Sequence, residues 1–330
     1  MPKLFGGCFV PAYLAGMNTL IENGIWPAEL VRYKEIIDND PFLATLPEED
    51  KVRVADRIMN STYADLTNDW AFKWVFLNNP DLLIMLLKDI LNEDIVEIEY
   101  LPSEGLAASL ADKKATMDVT CRTSDGRQFV VEMQTNRKTD FRNRMFYYGA
   151  AAIHRQVKAK DKKYIYDSVR VIAILDFVTN HGKTPKDKVL FQYEFREIET
   201  MERYGTQIML YMLELPRMRK AIKDQNNLEE WCYMFRNFPK FVGMPEDINP
   251  RFHKLMDVLR LNNMTEEQKQ AYFKSSIYEE LEDIAEANYE YGKEEASREI
   301  AAKLLSEGVA TEVILRVTGL SEEDLKDLKQ

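Results

Sequence analysis

Residues 115–134 read ATMDVTCRTSDGRQFVVEMQ, which is two short apolar segments separated by a polar turn. The β-branched and aromatic residues of both segments favour strands. The tripeptide Ser124-Asp-Gly126 suits a three-residue hairpin loop, because the third position of such a loop needs a positive φ, which glycine adopts without strain. The stretch therefore predicts a β-hairpin.

The length of this turn determines which residues face each other across the hairpin. A three-residue loop pairs Thr123 with Arg127, and counting outward places Asp118 opposite Glu132. Gln134 follows two residues after Glu132 and shares its face, because strand side chains alternate in direction. The sequence therefore predicts two carboxylates and one amide on a single face of the hairpin.

Apolar periodicity predicts the helices and strands around the hairpin. A helix with a break at Asn78-Asn-Pro80 and an alternating strand precede it. A helix with an apolar stripe, a continuously apolar strand and two further strands follow it. We place these elements at residues 69–91, 95–101, 139–160, 169–178, 189–195 and 208–215. The fold class is therefore α/β, with a helical extension from about residue 228 to the C-terminus.

Two facing carboxylates repel each other, so either one of them binds a proton or a cation lies between them. A hard divalent ion such as Mg²⁺ binds one or two carboxylates together with waters and phosphate oxygens. Such an ion lowers the pKa of a bound water and neutralises charge that develops on a phosphodiester. The alternative is an exposed hairpin face on which Asp118 and Glu132 are only solvated.

The composition is that of a globular protein with a core, since 45% of the 330 residues are hydrophobic and 30% are charged. The three cysteines are far apart and odd in number, so we predict no disulfide framework and expect a reducing compartment. The longest uncharged run, residues 4–21, contains glycines and a proline and is a poor membrane helix. We therefore expect a cytoplasmic protein without a membrane segment.

Charge is distributed unevenly along the chain, although the net charge is -11. Residues 136–170 hold ten basic and three acidic side chains, whereas residues 279–330 hold fifteen acidic and six basic ones. Binding to phosphate depends on the charge within a Debye length of about 8–10 Å rather than on the net charge. The basic segment can therefore contact DNA despite the acidic remainder.

The chain resembles the PD-(D/E)xK nuclease superfamily in having Asp118, then Glu132-Met-Gln134, then a basic helix. It is more similar to the PD-(D/E)xK nuclease family transposases, the recombination-promoting nuclease group, from about residue 62 to the C-terminus. The resemblance implies a restriction-endonuclease-like αβββαβ core. Further segments that carry it are residues 69–76, 144–148, 162–164, 214–216, 301–308 and 318–321.

The resemblance implies a metal-dependent endonuclease that hydrolyses phosphodiester bonds in DNA, with Mg²⁺ or Mn²⁺ as cofactor. It implies that Asp118 and Glu132 bind the metal, with the main-chain carbonyl of Met133 as a further ligand. Gln134 takes the place of the superfamily's lysine; glutamine can orient a water but cannot carry positive charge or act as a base. The alternative is a catalytically reduced DNA-binding or protein-interaction module that keeps the fold.

Further charged residues extend this candidate site. Asp69 lies where the superfamily often places another acidic residue, although an acid at a helix N-terminus also stabilises the helix dipole. Lys73, one turn later, is positioned to pair with Asp69 or to reach phosphate. Arg144, Arg155 and Lys158 lie along one side of the helix predicted at 139–160, either as a phosphate-binding track or as an ordinary solvated face.

We divide the chain into a helical N-terminal extension at residues 1–60, the nuclease-like core at residues 61–225 and a helical C-terminal region at residues 226–330. The C-terminal region is predicted to contain a long charged helix and a small helical hairpin. The hairpin could be a DNA-reading helix-turn-helix, but its negative surroundings favour self-association. We therefore expect a homo-oligomer through the C-terminal helices.

Overall fold

The computed structural model describes residues 26–28, 30–41, 43–45, 47–102, 117–135, 141–157, 163–179, 184–205, 207–306 and 311–318. For residues 281–295, 312 and 316 it describes the main chain alone. Lys158 and the last residues of the predicted C-terminal helical hairpin, 319–330, lie outside the described residues.

Helices form the chain that leads into the sheet: α1 (Val31–Asp38), α2 (Glu48–Met59), α3 (Asp69–Asn78) and α4 (Pro80–Leu91). The N-terminus of α3 is capped by Asn68, whose side-chain oxygen accepts a hydrogen bond from the N–H of Ala71 at 3.0 Å. Pro80 occupies the first turn of α4, where a missing N–H costs nothing. The predicted break between two core helices is thereby confirmed.

The strands of the described chain form a six-stranded sheet in the order β1-β2-β3-β4-β6-β5. Strands β1, β2 and β3 pair in antiparallel fashion, β3, β4 and β6 pair in parallel, and β5 is antiparallel to β6. Their bounds are β1 (Glu99–Tyr100), β2 (Val119–Arg122), β3 (Gln128–Gln134), β4 (Val169–Leu175), β5 (Leu190–Tyr193) and β6 (Ile208–Glu214).

The hairpin between β2 and β3 has the predicted register. Val119 lies opposite Val131, and the N–H of Thr123 donates to the carbonyl of Arg127 at 3.0 Å. Gly126 has a φ of 92°, as the third position of this loop requires. The same register continued by one residue places Asp118 beside Glu132, immediately before the first residue of β2.

Strand β1 is shorter than predicted, since it covers Glu99–Tyr100 instead of residues 95–101. Glu99 pairs with Arg122, the last residue of β2, and Tyr100 pairs with Cys121. Residues before Glu99 would therefore run past the end of β2, where the chain turns and offers no strand to pair with. Similarly, β4 ends at Leu175 rather than near residue 178.

Helix α5 (Phe141–Gln156) covers one face of the sheet and falls within the helix predicted at 139–160. Its buried residues Met145 and Tyr148 pack with Val130 of β3 and Val171 of β4 in one apolar cluster. Because side chains alternate along a strand, Val130 marks the face to which Glu132 and Gln134 also belong. The order αβββαβ is therefore complete from α3 to β4.

The alternate residues of the central strands, such as Ile172, are also buried and point to the second face. Helices α6 (Asn227–Asn237) and α7 (His253–Leu259) follow the sheet in sequence. The ring of Phe235 in α6 lies 6.3 Å from that of Phe72 in α3, and aromatic contacts continue to Phe76 in α3. The α6 helix is therefore part of the same core as α3 and α4.

The chain divides into two compact units, with the boundary between Ile277 and Tyr278. Helix α8 (Glu266–Ser306) matches the predicted long charged helix, and α9 (Thr311–Thr318) follows it. In the second unit, Ala301 of α8 and Ile314 of α9 are buried against each other. The division into residues 1–60, 61–225 and 226–330 stays a prediction.

No helix among the described residues has the length and apolar character needed to cross a bilayer. Cys121 and Cys232 are buried free thiols, and burial raises the pKa of Cys121 to about 12.

Replacing Gly126 with alanine tests how strongly the turn sets the register. We expect Gly126→Ala to lower the free energy of unfolding by about 1–2 kcal/mol, because φ is positive there and a Cβ would collide with the carboxylate of Asp167. Gly243→Ala is the control, since its Cβ would enter open space and should change the free energy by less than about 0.5 kcal/mol. Urea denaturation of both variants would refute this role of the turn if the two changes were equal.

Candidate active site

Asp118 and Glu132 are bound to each other through the main chain at the open end of the hairpin. The N–H of Asp118 donates to Oε1 of Glu132 at 3.1 Å. The N–H of Met133 donates to Oδ2 of Asp118 at 2.9 Å. Both acids are buried, with exposed fractions of 8% and 2%, so the prediction of a solvated hairpin face is not what the structure shows.

Lys73 of α3 brings a positive charge to these carboxylates. Its ammonium nitrogen lies 2.6 Å from Oδ1 of Asp69 and 3.1 Å from Oδ1 of Asp118. The pairing with Asp69 is the one-turn contact that the sequence predicts, whereas the contact with Asp118 depends on α3 packing beside β2. Asp69, Lys73 and Asp118 therefore form a continuous chain of charges from the first core helix to the hairpin.

Gln134 and Arg144 form a second polar group at the end of β3. The guanidinium of Arg144 donates to Oε1 of Gln134 at 3.2 Å and to the hydroxyl of Tyr148 at 2.8 Å. The amide nitrogen of Gln134 donates to the carbonyl of Met133 at 2.7 Å. Arg144 therefore fixes the orientation of the Gln134 amide.

Burial and like charge alter the ionisation of these groups. Burial raises the pKa of Asp118, Lys73 opposes that rise, and Asp69 adds to it. Burial, followed by repulsion from Asp118, raises the pKa of Glu132 well above its usual range. Burial lowers the pKa of Lys73, but the carboxylates of Asp118 and Asp69 outweigh this effect, so the pKa of Lys73 is raised. The site therefore favours a proton on one of the two acids over a second buried negative charge, with Lys73 and Arg144 as the neighbouring cations.

The donor atoms of this site fit a hard divalent ion. Asp118, Glu132 and the carbonyl of Met133 supply only oxygen, which Mg²⁺ and Mn²⁺ prefer. Among the side chains that the structure describes, no three His, Cys, Asp or Glu residues converge into a metal-binding group. Mg²⁺ commonly takes only one or two carboxylates and completes its shell with water and substrate oxygens, so this small set is sufficient.

Arg155 contacts different residues from Arg144. Its guanidinium donates to the carbonyl of Pro102 at 2.7 Å and contacts the sulfur of Met117 at 3.1 Å. Burial lowers the pKa of Arg155. The guanidinium therefore contacts Pro102 and Met117, the residue before Asp118. The role of Arg155 in a phosphate-binding track stays a prediction, as does that of Lys158, which lies outside the described residues.

Two charged residues beside the site were not predicted. The N–H of Asp176, the residue after β4, donates to the carbonyl of Gln134 at 3.0 Å. The carboxylate of Asp176 lies 3.7 Å from Nε of Arg236, at the end of α6. An acid directly after a buried strand could have drawn attention to Asp176, because ligands gather at the carboxyl ends of parallel strands. Arg236 has no such signal in the sequence.

Part of the second compact unit matches a family model. Residues 294–330 match the model of the Rpn/YhgA-like nuclease family, C-terminal HTH domain. This is the helix-turn-helix alternative, which the negative charge around it disfavours when the sequence is considered alone. Self-association through these helices stays a prediction.

No curated protein and no solved structure matches the chain. Residues 66–286, well over half of the chain, match the model described as PD-(D/E)XK nuclease family transposase. This range contains the whole sheet and the site formed by Asp69, Lys73, Asp118, Glu132 and Gln134. The chain therefore belongs to the PD-(D/E)XK nuclease family transposases.

Proposed function

We propose that the protein is a metal-dependent endonuclease that hydrolyses phosphodiester bonds in DNA. The observation that carries this proposal is the buried pair Asp118 and Glu132, held side by side and contacted by Lys73. Acidic side chains with a purely structural role are seldom buried together unless cations neutralise their charge. Carboxylates with shifted pKa values that converge at a strand end are typical of catalytic sites. The basic residues of segment 136–170 and the HTH domain support DNA as the substrate.

Separate residues of the protein would bind the metal, position the attacking water and bind the phosphate. Asp118, Glu132 and the carbonyl of Met133 would hold Mg²⁺ or Mn²⁺. When bound, such an ion lowers the pKa of water and neutralises charge on the phosphate. Gln134, oriented by Arg144, would position the attacking water through its amide. Arg144, beside Gln134, would also contact a phosphate oxygen of the substrate.

Lys73 offers the positive charge that Gln134 cannot supply. The superfamily's lysine lies at the position of Gln134, but here an ammonium group reaches Asp118 from α3 instead. With its pKa raised, Lys73 stays protonated and is suited to stabilise developing negative charge rather than to act as a base. Asp69 would hold Lys73 in place.

The central test is cleavage of a supercoiled plasmid with Mg²⁺ or Mn²⁺ by Asp118→Asn. We expect the rate to fall at least about 100-fold, the scale at which one charged group contributes to a catalytic site. Folding should be nearly unchanged, because the amide oxygen can still accept the hydrogen bond from Met133. Asp94→Asn, which alters an exposed carboxylate paired with Lys88, is the control and should cleave normally.

The result also separates the two hypotheses about this chain. Nicking by the wild type that disappears in Asp118→Asn supports the endonuclease. DNA binding by the wild type without nicking under any divalent ion would support the catalytically reduced module. Equal nicking by Asp118→Asn and the wild type would remove Asp118 from the site.

A substitution of Lys73 separates its catalytic charge from its role as a counter-ion. We expect Lys73→Gln to lower the maximal cleavage rate about 10- to 100-fold, because it removes a positive charge from the site. The Mn²⁺ concentration for half-maximal rate should fall at the same time, because Lys73 no longer competes for Oδ1 of Asp118. Metal titrations of cleavage check both values, with Lys88→Gln as the control. A normal maximal rate in Lys73→Gln would leave Lys73 with a structural role only.

A substitution of Glu132 tests the link between stability and pH. A raised carboxyl pKa stabilises the fold below the pKa of the unfolded chain, about 4.3, and this contribution is lost as pH rises through the folded pKa. We therefore expect Glu132→Gln to unfold at a higher temperature than the wild type at pH 8. Raising a pKa by one corresponds to roughly 1.4 kcal/mol of free energy, and the advantage of Glu132→Gln should vanish towards pH 4.

Thermal unfolding of Glu132→Gln also reports on the metal. Mn²⁺ should raise the unfolding temperature of the wild type, because it binds the folded state alone, and it should not raise that of Glu132→Gln. Glu97→Gln, at an exposed carboxylate, is the control for both measurements. A pH-independent difference between Glu132→Gln and the wild type would contradict the raised pKa.

A further inference from the structure

An arginine lies near the carboxyl ends of β3 and β4 on each face of the sheet. Gln134, at the end of β3, lies on the face covered by α5 and contacts Arg144. In β4, the residues that pack against α5 are Val169, Val171, Ala173 and Leu175. Asp176 is next in sequence, and its N–H continues the ladder to Gln134, so its side chain points to the opposite face.

Arg236 lies on that opposite face. It is in the last turn of α6, and its Nε lies 3.7 Å from Oδ1 of Asp176. This separation exceeds the usual length of an N–H···O hydrogen bond, and both side chains are about two-fifths exposed, at 38% and 39%. The ion pair is therefore loose and partly hydrated, and such a pair contributes little to stability.

Lys240 adds a second cation to this position. It ends the short helical turn Phe238–Lys240 that follows α6 and is exposed to solvent. Burial raises the pKa of Asp176, and Arg236 and Lys240 both oppose that rise, so both cations lie within electrostatic range of the strand end. A second carboxyl, that of Asp65, also lies within electrostatic range of Asp176 and Lys240, and burial raises its pKa. Asp176 is therefore the exposed carboxylate that faces Arg236 and Lys240.

We propose that Arg236 and Lys240 form a second phosphate-binding site for the DNA strand, on the face opposite Arg144, and that Asp176 holds the Arg236 guanidinium in place while DNA is absent. This inference rests on the proposed function. Neighbouring strands lie about 4.8 Å apart, so a DNA strand that crosses the ends of β3 and β4 meets Arg144 on one side and Arg236 on the other. A guanidinium is suited to this exchange, because its fork of donors binds carboxylate and phosphate alike.

The test measures DNA binding rather than cleavage. A fluorescently labelled duplex is titrated with the full-length chain in EDTA at several salt concentrations. We expect Arg236→Gln with Lys240→Gln to weaken binding roughly tenfold at low salt and to reduce the salt slope by about 2, one for each lost phosphate contact. The matched control is Arg53→Gln with Lys254→Gln, an exposed helical arginine and lysine that each pair with one aspartate.

The outcomes are distinct. An unchanged slope in Arg236→Gln with Lys240→Gln would overturn the proposal, and so would an equal loss in the control, which would reflect net charge alone. If the unfolding temperature of the double variant falls, Arg236→Lys with Lys240 unchanged is measured in its place. Because this variant keeps the positive charge, its DNA binding should have the wild-type salt slope.

The role of Asp176 has its own measurement. Asp176→Asn should tighten DNA binding, and the gain should shrink when it is combined with Arg236→Gln. Equal gains in the two backgrounds would overturn the part that couples Asp176 to Arg236. Because these measurements need no metal and no cleavage, they stand even if Asp118→Asn cuts DNA normally and the proposed reaction fails.

Discussion

Asp118 and Glu132 hold each other through main-chain N–H groups, and the geometry of the whole site depends on this exchange. Each carboxylate accepts one N–H from the neighbouring strand end, which offsets part of the cost of its burial. The exchange does not neutralise the pair, so its charge is balanced by a proton or by a cation from another part of the chain. Lys73 is that cation, and it can reach Asp118 only because α3 packs beside β2.

The arrangement of the sheet explains why polar residues gather at one edge. Strands β3, β4 and β6 run in parallel, so their carboxyl ends lie side by side. Gln134 ends one strand and Asp176 follows the next, while the strands themselves are apolar and buried on both faces. Helices on the two faces then bring Arg144 and Arg236 to the same edge. A rigid core therefore positions charged groups that the chain supplies from distant segments.

The sequence predicts the parts of this site that depend on local geometry. A loop of three residues sets the hairpin register, so the pairing of Asp118 with Glu132 follows from counting, and the contact of Asp69 with Lys73 follows from helical spacing. The contacts of Lys73 with Asp118 and of Arg236 with Asp176 depend on how helices pack on a sheet, which no local pattern specifies. At the C-terminus, residues 294–330 match an HTH domain model, and a sum of charges over residues 279–330 does not tell which side chains share a surface.

The N–H of Met133 has a side-chain acceptor, Oδ2 of Asp118, where a neighbouring strand would ordinarily supply a carbonyl. Its protection against deuterium exchange therefore depends on the state of one carboxylate, unlike that of the amides deeper in β3. Protonation of Asp118, or its removal, would weaken this acceptor and speed exchange at a single amide. Deuterium exchange at the Met133 amide therefore reports the ionisation state of Asp118.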